Sequence, residues 1–189
     1  MMNTQKRPAG RRQAKSRMAG FTVLEMLMAI TIIAVLAGLA VPGYLRIKRQ
    51  AQSHQCITKL RHLGVGLNLY LGDHALIMPT LAPSRDDKND DKVPTIDTVL
   101  LEYVDSEDAF RCPSDHDGIW EKTGSSYFWN SLVNGQPMGS MNFMGLTKNQ
   151  TVIPLMSDKE NFHKHIGDGV NILYADGHVQ SELQFTVDP

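Results

Sequence analysis

No acidic residue occurs among the first 20 positions, and no charged residue of either sign stands between Met26 and Val41. The first lack leaves the opening segment purely cationic, with Lys6, Arg7, Arg11, Arg12, Lys15 and Arg17 giving it a formal +6. The 189-residue chain as a whole carries only −1, so everything after residue 20 is acidic, at −7. An acidic body lacks the basic face that phosphate contacts require, which argues against nucleic acid as its partner. The second lack makes the stretch from Phe21 to Leu45 an apolar run of about 25 residues, roughly 37 Å as helix and long enough to span a bilayer. A secretory signal peptide has a shorter apolar region, about 7–15 residues, ending at a small-residue cut site, and this run fits that pattern poorly. The basic flank keeps the N-terminus cytoplasmic and sends the remainder across. Catalytic motifs are also missing. Ser157, Asp158 and His163 are residue types found in nucleophilic sites, but no nucleophile-elbow or metalloprotease pattern surrounds them, so the chain is not expected to be an enzyme.

One acid interrupts the greasy segment. Glu25 lies at its start, where a carboxylate in hydrocarbon costs roughly 2.5–3.5 kcal/mol on insertion scales and so needs a partner. Residues Gly20-Phe21-Thr22-Val23-Leu24-Glu25, preceded by a basic leader and followed by an unbroken apolar helix, resemble the processing site of type IV pilins and of the related pseudopilins of type II secretion. The resemblance implies that a membrane-bound prepilin peptidase cuts after Gly20 on the cytoplasmic side and methylates the new N-terminus at Phe21. Cleavage would create a cationic amine on Phe21, four positions from Glu25 and on the same face if both are helical. In a filament, Glu25 of one subunit would instead meet the Phe21 amine of the next, a head-to-tail contact that does not close and so builds fibres.

Further along, Ala34 and Gly38 have the small-x-x-x-small spacing that lets helices approach closely. Pro42-Gly43 predicts a helix break, as a kink or a locally melted stretch near Gly38–Pro42. From Tyr44 the pattern becomes amphipathic, with Leu45, Ile47, Ala51, Cys56, Ile57, Leu60, Leu63, Leu67, Tyr70 and Leu71 forming a stripe. One helix is therefore expected to continue to about Leu71–Asp73, with Gly64 and Gly66 marking close approach by a sheet.

Ala82–Pro94 reads as a solvated polar loop. Asp87, Asn89 and Asp91 begin like a calcium-binding EF-hand loop, but Lys92 and Thr98 stand where that pattern needs Gly and Glu. Thr95–Val104 reads as a short helix capped by Thr95, with Ile96, Val99, Leu100 and Tyr103 inward. "FRCPSD", "SSYFWN", "VIPLMSDKE" and "GVNILYADGHVQSEL" read as strands and turns of a small antiparallel sheet, the last a hairpin turning at Asp176-Gly177. A second resemblance joins the Cys56–Tyr70 helix, the Cys112–Asp115 "CPSD" and a histidine upstream of Asp176-Gly177. These are similar to prepilin-type proteins defined by a histidine followed after nine residues by Asp-Gly; here ten residues separate His165 from Asp176.

The expected organisation is a removed leader (1–20), a transmembrane or filament-core helix (21–45), the amphipathic half of that helix (46–79) and a globular head (80–189). The fold class is α+β, a long N-terminal helix on a small antiparallel sheet. Cys56 and Cys112 would lie in an oxidising compartment and are candidates for a disulfide; two buried free thiols are the alternative. Asp158, His163, His165, Asp168, Asp176 and His178 are the candidate metal ligands. The histidines suit zinc and the carboxylates suit calcium, with calcium favoured; the fold itself calls for no cofactor. The implied partners are the prepilin peptidase, further copies and other pilin-like subunits, an assembly platform in the bacterial inner membrane, and lipid. The expected role is a structural subunit of a secretion pseudopilus. A type IV pilus subunit, and a membrane-anchored extracytoplasmic binding or sensor protein that never polymerises, are the alternatives.

Overall fold

The computed structural model describes residues 20–164, 166 and 169–182. Leader positions 1–19, His165 and Asp168 lie outside the described residues. The chain divides into two compact units, Met1–Gly43 and Tyr44–Pro189. The longest helix, α1 (Val23–Asp73, 51 residues), contributes to both.

In the first unit the described side chains from Gly20 to Val41 are all exposed, Leu24, Ile30, Ile33 and Leu36 among them. An apolar helix with nothing packed on it is stable in lipid or against other helices, not in water. Among the described residues, α1 is the helix long and apolar enough, by length and composition, to cross a membrane. The locally melted stretch that was one form of the expected break near Gly38–Pro42 is not present: α1 runs through positions 38–43 without a non-helical residue. A proline removes one backbone donor and crowds the carbonyl four residues back, while the hydrogen bonds on either side are kept, and these suffice to carry the helix through.

The second unit is built around the remainder of α1. Its buried side chains, Ser53, Cys56, Leu60, Leu63, Leu67 and Leu71, recur at intervals of three and four, the signature of one helical face on a core, and Gly64 and Gly66 are buried with them. The expected stripe started too early, because Leu45, Ile47 and Ala51 are exposed. Burial begins where the head chain reaches the helix, near the Gln52 amide that donates to the Pro113 carbonyl at 3.2 Å. After Asp73 the chain turns through Ala75 and Leu76, both at positive φ, with the Leu76 N–H returning to the Leu71 carbonyl at 2.8 Å. That is a helix stop made without the usual glycine.

The sheet is a four-stranded antiparallel meander in chain order: β1 (Tyr127–Trp129), β2 (Pro154–Asp158), β3 (Ile172–Tyr174) and β4 (Val179–Gln180). Its register pairs Tyr127 with Asp158 and Ser157 with Ile172. β3 and β4 are joined by the expected hairpin, with Gly177 at φ +89° and the Tyr174 N–H bonded to the His178 carbonyl. All three β3 side chains are buried, not alternating, and Leu173 packs where a Cβ on Gly64 would stand. The two helix glycines part company here. Gly64 admits the sheet, whereas Gly66 admits Val104 and the Tyr103 carbonyl.

Two short helices complete the head, α2 (Ile96–Val99) and α3 (Ile119–Thr123). Thr95 is the N-cap of α2, with its N–H donating to Thr98 Oγ1 at 2.9 Å, and the chain tightens into a 3₁₀ turn at Leu100–Tyr103. "FRCPSD" forms no strand. It is the end of a 3₁₀ turn followed by a tight turn, in which the Asp115 N–H bonds the Cys112 carbonyl. Pro113 has no N–H to give a ladder, and the Asp115 carboxylate accepts from the first N–H groups of α3. The polar loop is not solvated throughout either. Arg85 is buried and paired with Asp97, also buried, and with the exposed Asp91. A neutral scaffold could not leave that guanidinium alone without several kcal/mol of desolvation cost, so the pair folds the loop onto α2.

Candidate functional site

Two places in the chain gather the chemistry expected of it. The first is the start of α1. Val23 is the first helical residue, which puts Thr22 at the N-cap and Glu25 at the third helical position. The Thr22 N–H donates to Glu25 Oε2 at 2.9 Å and its hydroxyl to the same oxygen at 3.0 Å, while the Glu25 N–H donates to Thr22 Oγ1 at 3.2 Å. This is a reciprocal capping box, in which two of the helix's orphan N–H groups are satisfied by two side chains. Phe21 stands outside the helix and is 79% exposed. In the uncut chain, therefore, Phe21 lies outside the helix that carries Glu25; the shared face was expected of the cleaved chain. Thr-x-x-Glu ahead of an apolar run is the sequence signal for this arrangement, and it is plain in Thr22–Glu25 once it is sought.

The second place is the buried junction of α1 with the sheet. Cys56 on α1 and Cys112 form a disulfide, with Cα atoms 5.2 Å apart and both residues fully buried. The His163 ring lies beside it, with Nε2 3.6 Å from Cys112 Sγ and 3.5 Å from Asp158 Oδ2. Asp158 ends β2, where its Oδ2 accepts the Asn171 N–H at 2.7 Å and the Asn171 amide at 3.0 Å. Its Oδ1, and the Tyr127 hydroxyl opposite it in the sheet, have no hydrogen-bond partner among the described residues. Burial raises Asp158 to about 7 against the opposing pull of the Asn171 hydrogen bonds, and burial lowers His163. Burial, then the Asp158 charge, pushes the Tyr127 phenol well up.

The remaining metal candidates lie elsewhere. Asp176 and His178 sit in the β3–β4 turn, with Asp176 Oδ1 against His178 Nδ1 and the imidazole stacked on Tyr174 at 4.6 Å. Among the described residues, the side chains whose ligand atoms all fall within 4.8 Å of one another are Cys56, Cys112 and His163. No three of Asp158, His163, Asp176 and His178 form such a group. The sequence pattern placed the histidine in a metal cluster with its chain neighbours, but the fold gives it to the cysteines.

With this geometry in view, the comparison with known families is specific. Residues 15–41 match the family described as the prokaryotic N-terminal methylation motif. No curated protein and no solved structure matches the chain. The match covers the leader junction, Gly20, Phe21, the capping box and the exposed apolar helix, and it supports a type IV pilin-like precursor that is processed by a prepilin peptidase.

Proposed function

We propose that this chain is the precursor of a pilin-like structural subunit of a type II secretion pseudopilus. The peptidase cuts between Gly20 and Phe21 and methylates the Phe21 amine. The subunit waits in the bacterial inner membrane with its head on the periplasmic side. An assembly platform then draws it into a filament with further copies and related subunits. Moving the helix from lipid into a bundle of apolar helices buries the side chains that stand exposed along Val23–Val41, and the close-packing positions Ala34 and Gly38 serve the same bundle. Glu25 leaves its capping box to meet the amine of a neighbouring Phe21. Unwinding at Pro42 during assembly is part of the same proposal.

The observation that carries the reading is a methylation motif leading directly into an apolar helix whose described side chains up to Val41 are all exposed. The compact head, with no extended adhesive region in the sequence, favours the pseudopilus over a long surface pilus. Mass spectrometry of the mature N-terminus in the native host tests the proposal. A methylated Phe21 start is expected; a mature protein beginning at Met1, or cut near residue 40, would overturn it. Long extracellular filaments containing the subunit would move it to the pilus class.

A further inference from the structure

We propose that Arg46, Arg49 and Ser53 form a binding site for the phosphate of an anionic phospholipid, in the membrane leaflet on the head's side. The inference rests on the reading of Phe21–Leu45 as the membrane-spanning segment.

Charge is spread unevenly along α1. From Met26 to Gly72 there is no acidic residue, although the chain after residue 20 is acidic as a whole. Farther along the helix, acids of the head answer its cations: Lys59 Nζ lies 2.7 Å from Asp108 Oδ2, and His62 Nε2 3.7 Å from Asp105 Oδ2. Arg46, Lys48 and Arg49 are exposed and have no ion-pair partner among the described residues. Cations just past an apolar run on its exported side also go against the usual distribution, and they call for an anionic partner there. Arg46, Arg49 and Ser53 follow at intervals of three and four, on one helical face. With His54 and Ile57 they line a cleft of about 300 Å³ that Ile166 closes from the other side. No carboxylate is among its described lining residues.

Ser53 gives this cleft a donor with nothing to bind. It is 2% exposed, and its hydroxyl has no hydrogen-bond partner among the described residues. A helical hydroxyl can bond the carbonyl of the preceding turn, as Thr58 does to the His54 carbonyl at 2.9 Å, but Ser53 does not. A buried hydroxyl left over in this way marks a missing acceptor. The two guanidinium groups of the same cleft are forks that match phosphate oxygens bidentately. Ile57 and Ile166 add an apolar wall that suits the glycerol backbone of a lipid and that inorganic phosphate does not use. Position along the chain selects the lipid too. Glu25 and Arg46, the polar ends of the apolar run, are separated by about 31 Å of helix, against a hydrocarbon core of about 30 Å. Arg49 follows about 6 Å beyond Leu45, at the depth of the headgroups, and Tyr44 stands exposed at the boundary where aromatic rings anchor.

The test reconstitutes the full-length chain into vesicles of phosphatidylcholine and phosphatidylglycerol in equal amounts. The protein is recovered in mild detergent, and the lipid retained on it is identified by native mass spectrometry. Retention of phosphatidylglycerol about tenfold or more over phosphatidylcholine is expected, at roughly fivefold for each arginine. The Arg46→Gln/Arg49→Gln chain should lose that preference, and both positions are exposed, so its fold is not at issue. Ser53→Ala should weaken the preference severalfold while leaving the denaturant midpoint unchanged or higher, because the hydroxyl holds no partner in the head. Arg61→Gln alters an exposed cation of α1 outside the cleft and should change nothing. Equal retention of the two lipids, a preference that survives Arg46→Gln/Arg49→Gln, or an equal loss in Arg61→Gln would each overturn the proposal. So would displacement of the lipid by millimolar inorganic phosphate, which would mark a site for the free anion. A chain that enters vesicles but shows no preference overturns this inference alone; one that enters no vesicle overturns the membrane reading with it.

Discussion

Thr22 and Glu25 satisfy one another at the start of α1: the threonine N–H and hydroxyl both donate to Glu25 Oε2, and the Glu25 N–H donates back to the threonine oxygen. Glu25 is thus not an unpaired carboxylate awaiting a charge. It is provided for in the precursor by helix capping; in the proposed assembled state it would meet an amine that exists only after cleavage. A charge-free acceptor can fulfil the first role but not the second.

That difference yields a separable prediction. Glu25→Gln keeps an amide oxygen for both Thr22 donors and should leave cleavage and helix start intact, yet impair filament assembly as severely as Glu25→Ala. Thr22→Val removes the cap at about 1 kcal/mol and should fray the first turn, seen as faster amide exchange at Leu24 and Glu25, with a milder assembly defect. Wild-type assembly by Glu25→Gln would show that capping, not charge, is what the residue supplies.

Removing the cross-link should be costly. Cys56 and Cys112 are 56 positions apart, and a loop of that size restricts the unfolded chain by about 4 kcal/mol in the entropic account. A Cys56→Ala/Cys112→Ala variant should therefore lower the denaturant midpoint markedly with little change in slope. A midpoint unchanged from the oxidised protein would mean that the bond is not formed in solution.

Asp158 predicts the pH dependence of the head. Burial raises its pKa from 3.8 to about 7, so the folded state holds the proton more tightly than the unfolded chain. The stability from that proton is complete below about pH 4, fades as pH rises, and is gone above about pH 7. His163, lowered by burial, works in the opposite sense, losing stability as pH falls through the ordinary histidine range near 6.5. Asp158→Asn should isolate the first effect: urea titrations at several pH values should show the variant gaining on wild type between pH 4 and 7, on the order of a few kcal/mol in full. A constant difference across that range would show that Asp158 does not titrate there.

The two helix glycines should respond differently to alanine. At Gly66 a Cβ would stand 2.8 Å from Val104 Cγ1 and 3.3 Å from the Tyr103 carbonyl oxygen, and backbone cannot yield easily. Gly66→Ala should destabilise by about 1–3 kcal/mol despite the gain in helix propensity. At Gly64 the neighbours are the δ-carbons of Leu173, at 3.2 and 3.3 Å, which can move, so Gly64→Ala should be close to neutral. Thermal denaturation of the two variants side by side decides this; the reverse order would mean that the sheet, not the Tyr103–Val104 segment, is the tighter neighbour.

Much of this molecule is legible one residue at a time. The charge-free apolar run and its cationic front depend only on local composition, so α1 and the Asp176-Gly177 hairpin could be read directly, and the Gly20-Phe21 to Glu25 junction was legible through its resemblance to a known processing site. Even the Thr22–Glu25 box was written there, three residues apart. The placing of His163 and Asp158 beside the Cys56–Cys112 pair was not. The members of that cluster lie far apart in the chain and meet only because α1 packs Leu63 and Leu67 on the core while β2 and the turn after it bring Asp158 to His163 and His163 to the Cys112 sulfur. Local periodicity fixes which face of a segment is apolar; which distant side chains are trapped together beneath that face is decided by packing, and the buried polar atoms follow from it.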